Sequence, residues 1–304
     1  MILHLTERRR FRHLVTEGPL GRRVASRFIA GESLDAALAA ARDLDAKRIA
    51  TMLDELGEHV TTAGQAAAAA EDCIGALERI AAAPTLDCGI SVKLTQLGLD
   101  LSFDACVEHM SRILSVAERS GTLVMIDMES HEYVDRTLEV HRRLREDHGR
   151  VGLCLQAYLR RTAEDVFALP ERSIVRLVKG AYLEPAKVAY ADRRVVAERL
   201  RSLFTTLLMG GHTVHLATHD PRLVEGARRF VERRGMGWSR VEFQFLYGIR
   251  RDLQRRLARN GYPVRVYLPY GTEWYPYLTR RLAERPANLW FFLANLFRPS
   301  VSRG

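Results

Sequence analysis

Two adjacent arginines, Arg280 and Arg281, stand in the segment Tyr277-Leu-Thr-Arg280-Arg281-Leu-Ala-Glu284-Arg285-Pro286, which reads as a short helix. A guanidinium is a planar fork suited to bidentate binding of a carboxylate or phosphate. Neighbouring helix positions point about 100° apart, so both arginines meet one anion only at a bend or near the end of the helix axis. In an arginine-rich chain a solvated pair is the alternative, and spacing alone leaves both open.

Upstream, polar side chains recur where short apolar runs end. The first run ends at Lys93 and the second at Ile126-Asp127-Met128-Glu129. The third carries Gln156 and Tyr158, and the fourth Arg176, Lys179 and Tyr182. The fifth ends Ala217-Thr218-His219-Asp220, the sixth holds Gln244 before Leu246-Tyr247-Gly248, and the seventh ends Tyr267-Leu268-Pro269-Tyr270-Gly271. A buried charge is costly unless paired, so each such residue either pairs structurally or serves a site. Seven runs ending this way fit a site better than seven separate structural pairs. Asp127 and Glu129 share a strand face and suit metal binding, acid–base work or a structural salt bridge.

Several chemistries find no motif. His212 and His215 point to opposite faces of a strand, and there is no HExxH, so no metal is expected. A GxSxG nucleophile elbow and a Walker P-loop are absent.

These residues need elements to carry them. Residues 1–84 read as helical, with apolar residues at helical spacing over 33–42 and 48–60 and an alanine-rich helix over 62–83 stopped by Pro84. Ser33 is the expected N-cap of the first. Beyond it, β-type runs at 88–94, 122–128, 151–158, 173–180, 213–218, 241–246 and 264–268 alternate with helical stretches. Continuous apolar runs suit a parallel sheet buried on both faces. Strand alternating with helix over roughly 210 residues predicts a TIM-type (β/α)8 barrel, with reactive groups at the C-terminal ends of its strands. The rival, an open doubly wound sheet, would carry a glycine-rich turn after its first strand, and none is present. Seven strands are placed; periodicity does not place the eighth. The expected division is an N-terminal helical arm over 1–85 and an α/β barrel over 86–304.

Composition narrows the rest. The chain has 304 residues, 47% hydrophobic, enough for a sizeable core. Its formal net charge is +9, but basic residues run along the whole chain with acidic ones beside them, so no nucleic-acid partner is expected. Only four lysines occur (Lys47, Lys93, Lys179, Lys187), so 42 of 46 basic residues are arginine. A lysine here hints at a position that wants a compact ammonium. Cys73, Cys88, Cys106 and Cys154 show no CxxC spacing and are expected as buried thiols. No apolar run is long enough to span a bilayer, and the start does not read as a secretory signal, so a cytoplasmic location is expected.

The motifs together resemble the proline dehydrogenase family, FAD-dependent (β/α)8 enzymes. The resemblance runs from about 88 to 292 and is carried by Ser91-Val-Lys-Leu-Thr-Gln-Leu-Gly, Ile126-Asp-Met-Glu, Gln156-Ala-Tyr-Leu-Arg and Arg176-Leu-Val-Lys-Gly-Ala-Tyr-Leu-Glu184. It continues through Ala217-Thr-His-Asp220, Phe243-Gln-Phe-Leu-Tyr-Gly248, Arg265-Val-Tyr-Leu-Pro-Tyr-Gly271 and Tyr277-Leu-Thr-Arg-Arg-Leu-Ala-Glu284. It implies oxidation of L-proline to Δ1-pyrroline-5-carboxylate by hydride transfer to FAD, with electrons passed to a quinone. It further implies that Arg280, Arg281 and Lys93 hold the proline carboxylate. Asp127 would sit beside the substrate, Tyr267, Tyr277 and Leu246 would line its pocket, and Arg176 would lie near the flavin N5. Met128, Gln156, Lys179, Gly180, Ala181, Thr218, His219 and Glu284 would contact FAD. Asp220 departs from the asparagine more usual there. Tyr267 fills a position where relatives that oxidise hydroxyproline would have a smaller residue, so proline is expected to be preferred. The apolar run 288–297 is too short to span a bilayer and reads as a helix packed on the barrel, or as a membrane-surface or oligomer contact. No aldehyde-dehydrogenase domain is seen, so the next oxidation is expected in a separate pyrroline-5-carboxylate dehydrogenase. Two rivals remain: another flavin barrel enzyme of the methylenetetrahydrofolate reductase kind, and a basic nucleic-acid-binding scaffold.

Overall fold

The computed structural model describes residues 26–57, 59–275 and Tyr277. Eight parallel strands form a closed barrel in chain order. They are β1 (Ala50–Glu55), β2 (Cys88–Val92), β3 (Val124–Ile126), β4 (Val151–Gln156), β5 (Ile174–Val178), β6 (Thr213–Ala217), β7 (Val241–Leu246) and β8 (Val264–Tyr270). Helices α1 (Leu34–Asp45), α2 (Ala63–Ala81), α3 (Phe103–Ser120), α4 (Val134–Asp147), α5 (Thr162–Phe167), α6 (Arg193–Met209), α7 (Pro221–Arg233) and α8 (Arg251–Arg259) precede or separate the strands.

The local signals act as their chemistry predicts. Ser33 caps α1, accepting from Ala36 N at 3.3 Å. Thr62 and Gln65 form a capping box that starts α2. Gly121 ends α3 in the left-handed region at φ 66°, where a side chain would be strained. The seven strands expected from apolar runs are all present, and β2 and β4 are buried at every position, as a sheet covered on both faces requires.

One expectation is overturned. Residues 48–60 do not form a helix; they contain β1, the strand that periodicity had not placed. β1 pairs with β2 on one side and with β8 on the other, from Ala50↔Arg265 to Glu55↔Tyr270. The barrel therefore opens at Ala50, inside the segment assigned to the arm. Burial explains the misreading: Thr51, Met52, Leu53 and Asp54 are all inaccessible, so the strand shows no alternation. Helix α6 starts only at Arg193. Residues 185–190 instead tie back to the loop after β4, through Arg160 N to Val188 O and Tyr190 N to Tyr158 O.

The core fills the space between barrel and helices with Val, Ile, Leu, Met and Phe. All four cysteines are free thiols, three of them buried. Among the described residues, no helix is long and apolar enough to cross a membrane.

Candidate active site

A cavity of about 770 Å³ opens at the C-terminal ends of the strands. Lys93, Asp127, Met128, Gln156, Arg176, Lys179, Gly180, Ala181, Thr218, His219, Leu246, Tyr267 and Tyr277 all line it. Their sequence positions run from 93 to 277, and only barrel closure brings them together. Arg280, Arg281 and Glu284 lie outside the described residues, as does the run 288–297.

The cavity floor is a charged cluster. Arg176 Nη1 donates to Asp127 Oδ1 at 2.5 Å and to Ser91 Oγ at 2.9 Å. Tyr267 donates its phenol to Asp127 Oδ2 at 2.7 Å, and its ring lies 5.0 Å from the Arg176 guanidinium. Burial, and next the Asp127 charge, push the Tyr267 phenol far above its usual range, so it stays protonated and donates. Both Asp127 oxygens are thereby fixed. Lys93 Nζ stands 3.9 Å from Asp127 Oδ2 and donates to Asp54 Oδ1 at 2.6 Å.

Asp54, at the end of β1, was missing from the sequence-derived set because its strand had been read as helix. Burial pushes its carboxyl above the usual range; the Lys93 ammonium opposes this and the Asp127 carboxylate adds to it. Glu129 takes a structural part: it accepts from Thr95 N at 3.1 Å and Thr95 Oγ1 at 2.7 Å, fastening the loop after β2.

The cavity wall is backbone held close to side chains. Gln156 Nε2 donates to Glu129 O at 2.8 Å, and its Oε1 accepts from Ala181 N at 3.4 Å. Gly180 has φ 123°, and a Cβ there would fall 2.2 Å from the Tyr158 ring. On the far wall His219 Nε2 accepts from Leu246 N at 3.0 Å, which puts the ring proton on Nδ1. Asp220 caps α7 by accepting from Arg222 N at 2.9 Å; asparagine would serve equally, which accounts for the departure at this position. His215 lies inside the barrel against Gln244 rather than in the cavity, and no three His, Cys or acidic side chains converge as a metal would need among the described residues.

The family model for proline dehydrogenase matches residues 37–195 and 199–292. This chain belongs to the proline dehydrogenase family. Proline dehydrogenase of Deinococcus radiodurans is 42% identical over 281 residues, covering 90% of each chain. Proline dehydrogenase 1 of Bacillus subtilis subsp. natto is 39% identical over 275 residues, covering 90% of this chain and 91% of its own. Among solved structures, proline utilization A of Bdellovibrio bacteriovorus, inactivated by N-propargylglycine, superposes with a TM-score of 0.82 at 22% identity. That match covers 93% of this chain and 37% of the other, so this chain spans little more than a third of that structure and the likeness concerns the fold.

Proposed function

We propose that this chain oxidises L-proline to Δ1-pyrroline-5-carboxylate with FAD as cofactor, the first step of proline catabolism. The observation that carries this is the convergence in one cavity of a clamped aspartate, a buried lysine and a buried arginine in a chain of this family.

The residues fit a flavin. Arg176 Nη2 is buried with no hydrogen-bond partner among the described residues, a donor suited to a ring nitrogen or carbonyl. Gly180 lines the cavity with the Tyr158 ring packed where a Cβ would stand, so this stretch of backbone is pinned in the wall that a bound ring would meet. Met128, Gln156, Lys179, Gly180, Ala181, Thr218 and His219 would hold the cofactor, with Glu284. The chemistry that FAD supplies when bound is acceptance of a hydride from the ring carbon beside the substrate nitrogen.

The chain's own groups position and select. Lys93, with Arg280 and Arg281, holds the substrate carboxylate, and Tyr277, Leu246 and Tyr267 enclose the ring. The substrate nitrogen must lose a proton before its neighbouring carbon gives up a hydride, leaving a C=N bond. Asp127, held by Arg176 and Tyr267, offers fixed negative charge where the iminium develops. Arg176 offers positive charge where the accepted electrons reside.

In the same proposal, electrons pass on to a membrane quinone and the enzyme works in the cytoplasm at the inner face of the membrane. The product then passes to a separate pyrroline-5-carboxylate dehydrogenase.

The deciding experiment is optical. Purified protein should show flavin absorbance that L-proline bleaches without oxygen. Colourless protein overturns the flavin reading, and a flavin indifferent to proline overturns the substrate.

A further inference from the structure

Arg176 is held from behind as well as from the front. Its Nε donates to Gln244 Oε1 at 2.7 Å, deep in the barrel. The Gln244 amide nitrogen in turn donates to Glu242 Oε1 at 2.8 Å and to His215 Nδ1 at 3.0 Å. Glu242 is itself gripped by Arg265 Nε at 2.9 and 3.1 Å, and Arg265 also binds Thr51 O and Asp87.

This column leaves Gln244 a single orientation. Arg176 offers only donors, and a carboxylate at Glu242 offers only acceptors. Burial is the largest influence and opposes the Glu242 charge, but Arg265 and the other neighbouring groups together outweigh it and hold the carboxyl at about 2. Burial pushes His215 down to about 4, so at neutral pH its ring is uncharged and accepts at Nδ1. A flipped amide would set its oxygen against Glu242 and its nitrogen against Arg176, losing both of those bonds. Arg176, 3% exposed, is thus fixed at Nε and Nη1, and only Nη2 is left unpartnered.

We propose that Gln244 is a positioning residue for the oxidation, locking the Arg176 guanidinium so that its unpaired Nη2 is presented to the cofactor. The effect on catalysis rests on the flavin reading above; the lock itself does not.

The test compares the wild type with Gln244→Met, which removes the acceptor at similar size, and Gln244→Glu, which keeps it and, by sharing one proton with the Glu242 carboxylate as close acid pairs do, still donates there. Side-chain 15N spectra, assigned with Arg176→Lys, report exchange of the Arg176 Nε proton. Exchange should quicken at least about tenfold in Gln244→Met and stay near the wild-type rate in Gln244→Glu. In flavin-loaded Gln244→Met the midpoint potential should fall by about 30 mV or more, a tenfold change for a two-electron couple. Flavin content and KM for proline should hold while kcat drops. Wild-type exchange in Gln244→Met, or equal loss of protection in both variants, overturns the lock. An unchanged potential despite lost protection overturns its catalytic part. Colourless protein would remove the flavin reading and leave the exchange result standing.

Discussion

Lys93 Nζ donates to Asp54 Oδ1 at 2.6 Å, and this buried pair joins β1 to β2 on the cavity floor. Among the described residues Asp54 is closer to Lys93 than Asp127, which is 3.9 Å away. Removing one member of a buried pair leaves the other uncompensated, at a cost of about 3–5 kcal/mol. Asp54→Asn should therefore lower stability by a few kcal/mol on that scale and, by loosening Lys93, raise KM for proline about tenfold. Denaturant titration and steady-state kinetics check both; an unaltered KM would mean the pair only supports the barrel.

Acid should destabilise the protein through two buried histidines. Burial pushes His141 and His215 down to about 4, and neither ring nitrogen of His141 has a hydrogen-bond partner among the described residues. The unfolded chain binds these protons near pH 6.5, before the folded one does, so stability is fully present above about 6.5 and is lost as pH falls towards about 4. Each histidine contributes on the order of 3 kcal/mol across that window. His141→Leu should flatten the fall between pH 6.5 and 4, measured as the urea midpoint at each pH. A slope equal to the wild type would place the lability elsewhere.

Gly180→Ala should cost the cofactor first. The new Cβ meets the Tyr158 ring, and φ 123° is a conformation that alanine avoids. Expected is a large fall in the flavin-to-protein ratio after purification, with a destabilisation of about 1–3 kcal/mol. A fully loaded variant would show that this backbone does not hold the ring.

Tyr267 should make the enzyme prefer proline to 4-hydroxyproline. Its phenol is engaged with Asp127 and its ring packs on Arg176, so it cannot swing aside for an added hydroxyl. kcat/KM for both substrates tests this, and a higher value for hydroxyproline would refute it. Tyr267→Ser should narrow the difference.

Arg281→Met should raise KM for proline far more than it alters flavin content. Equal loss of flavin would assign the arginine pair a structural part instead.

Legibility followed burial geometry. Seven strands stood out because runs such as residues 151–155 are apolar throughout. β1 did not, because Thr51 and Asp54 put polar types where a buried strand is expected to be apolar, and the compensation of Asp54 comes from Lys93, 39 positions away. The site list therefore contained Lys93 without its partner. Glu129 was visible as an acid beside Asp127, but its bond to Thr95 spans 34 positions and leaves no local trace. Gln244 was visible as a polar residue on an apolar strand; its function depends on Arg176, 68 positions away. Asp220 looked irregular by motif and is ordinary as a helix cap.

The pairing of β1 with β8 also governs how the molecule is made. Ala50 and Arg265 are neighbours in the barrel but 215 positions apart in the chain (265 − 50). A ribosome releases β1 with one hydrogen-bonding edge bare, and at usual rates of synthesis its partner arrives roughly 10–40 s later. Throughout that interval the nascent chain is an open sheet with two sticky margins. A fragment ending anywhere between 56 and 264 would stay in that state, so a stable piece of this chain must contain both sides of the seam.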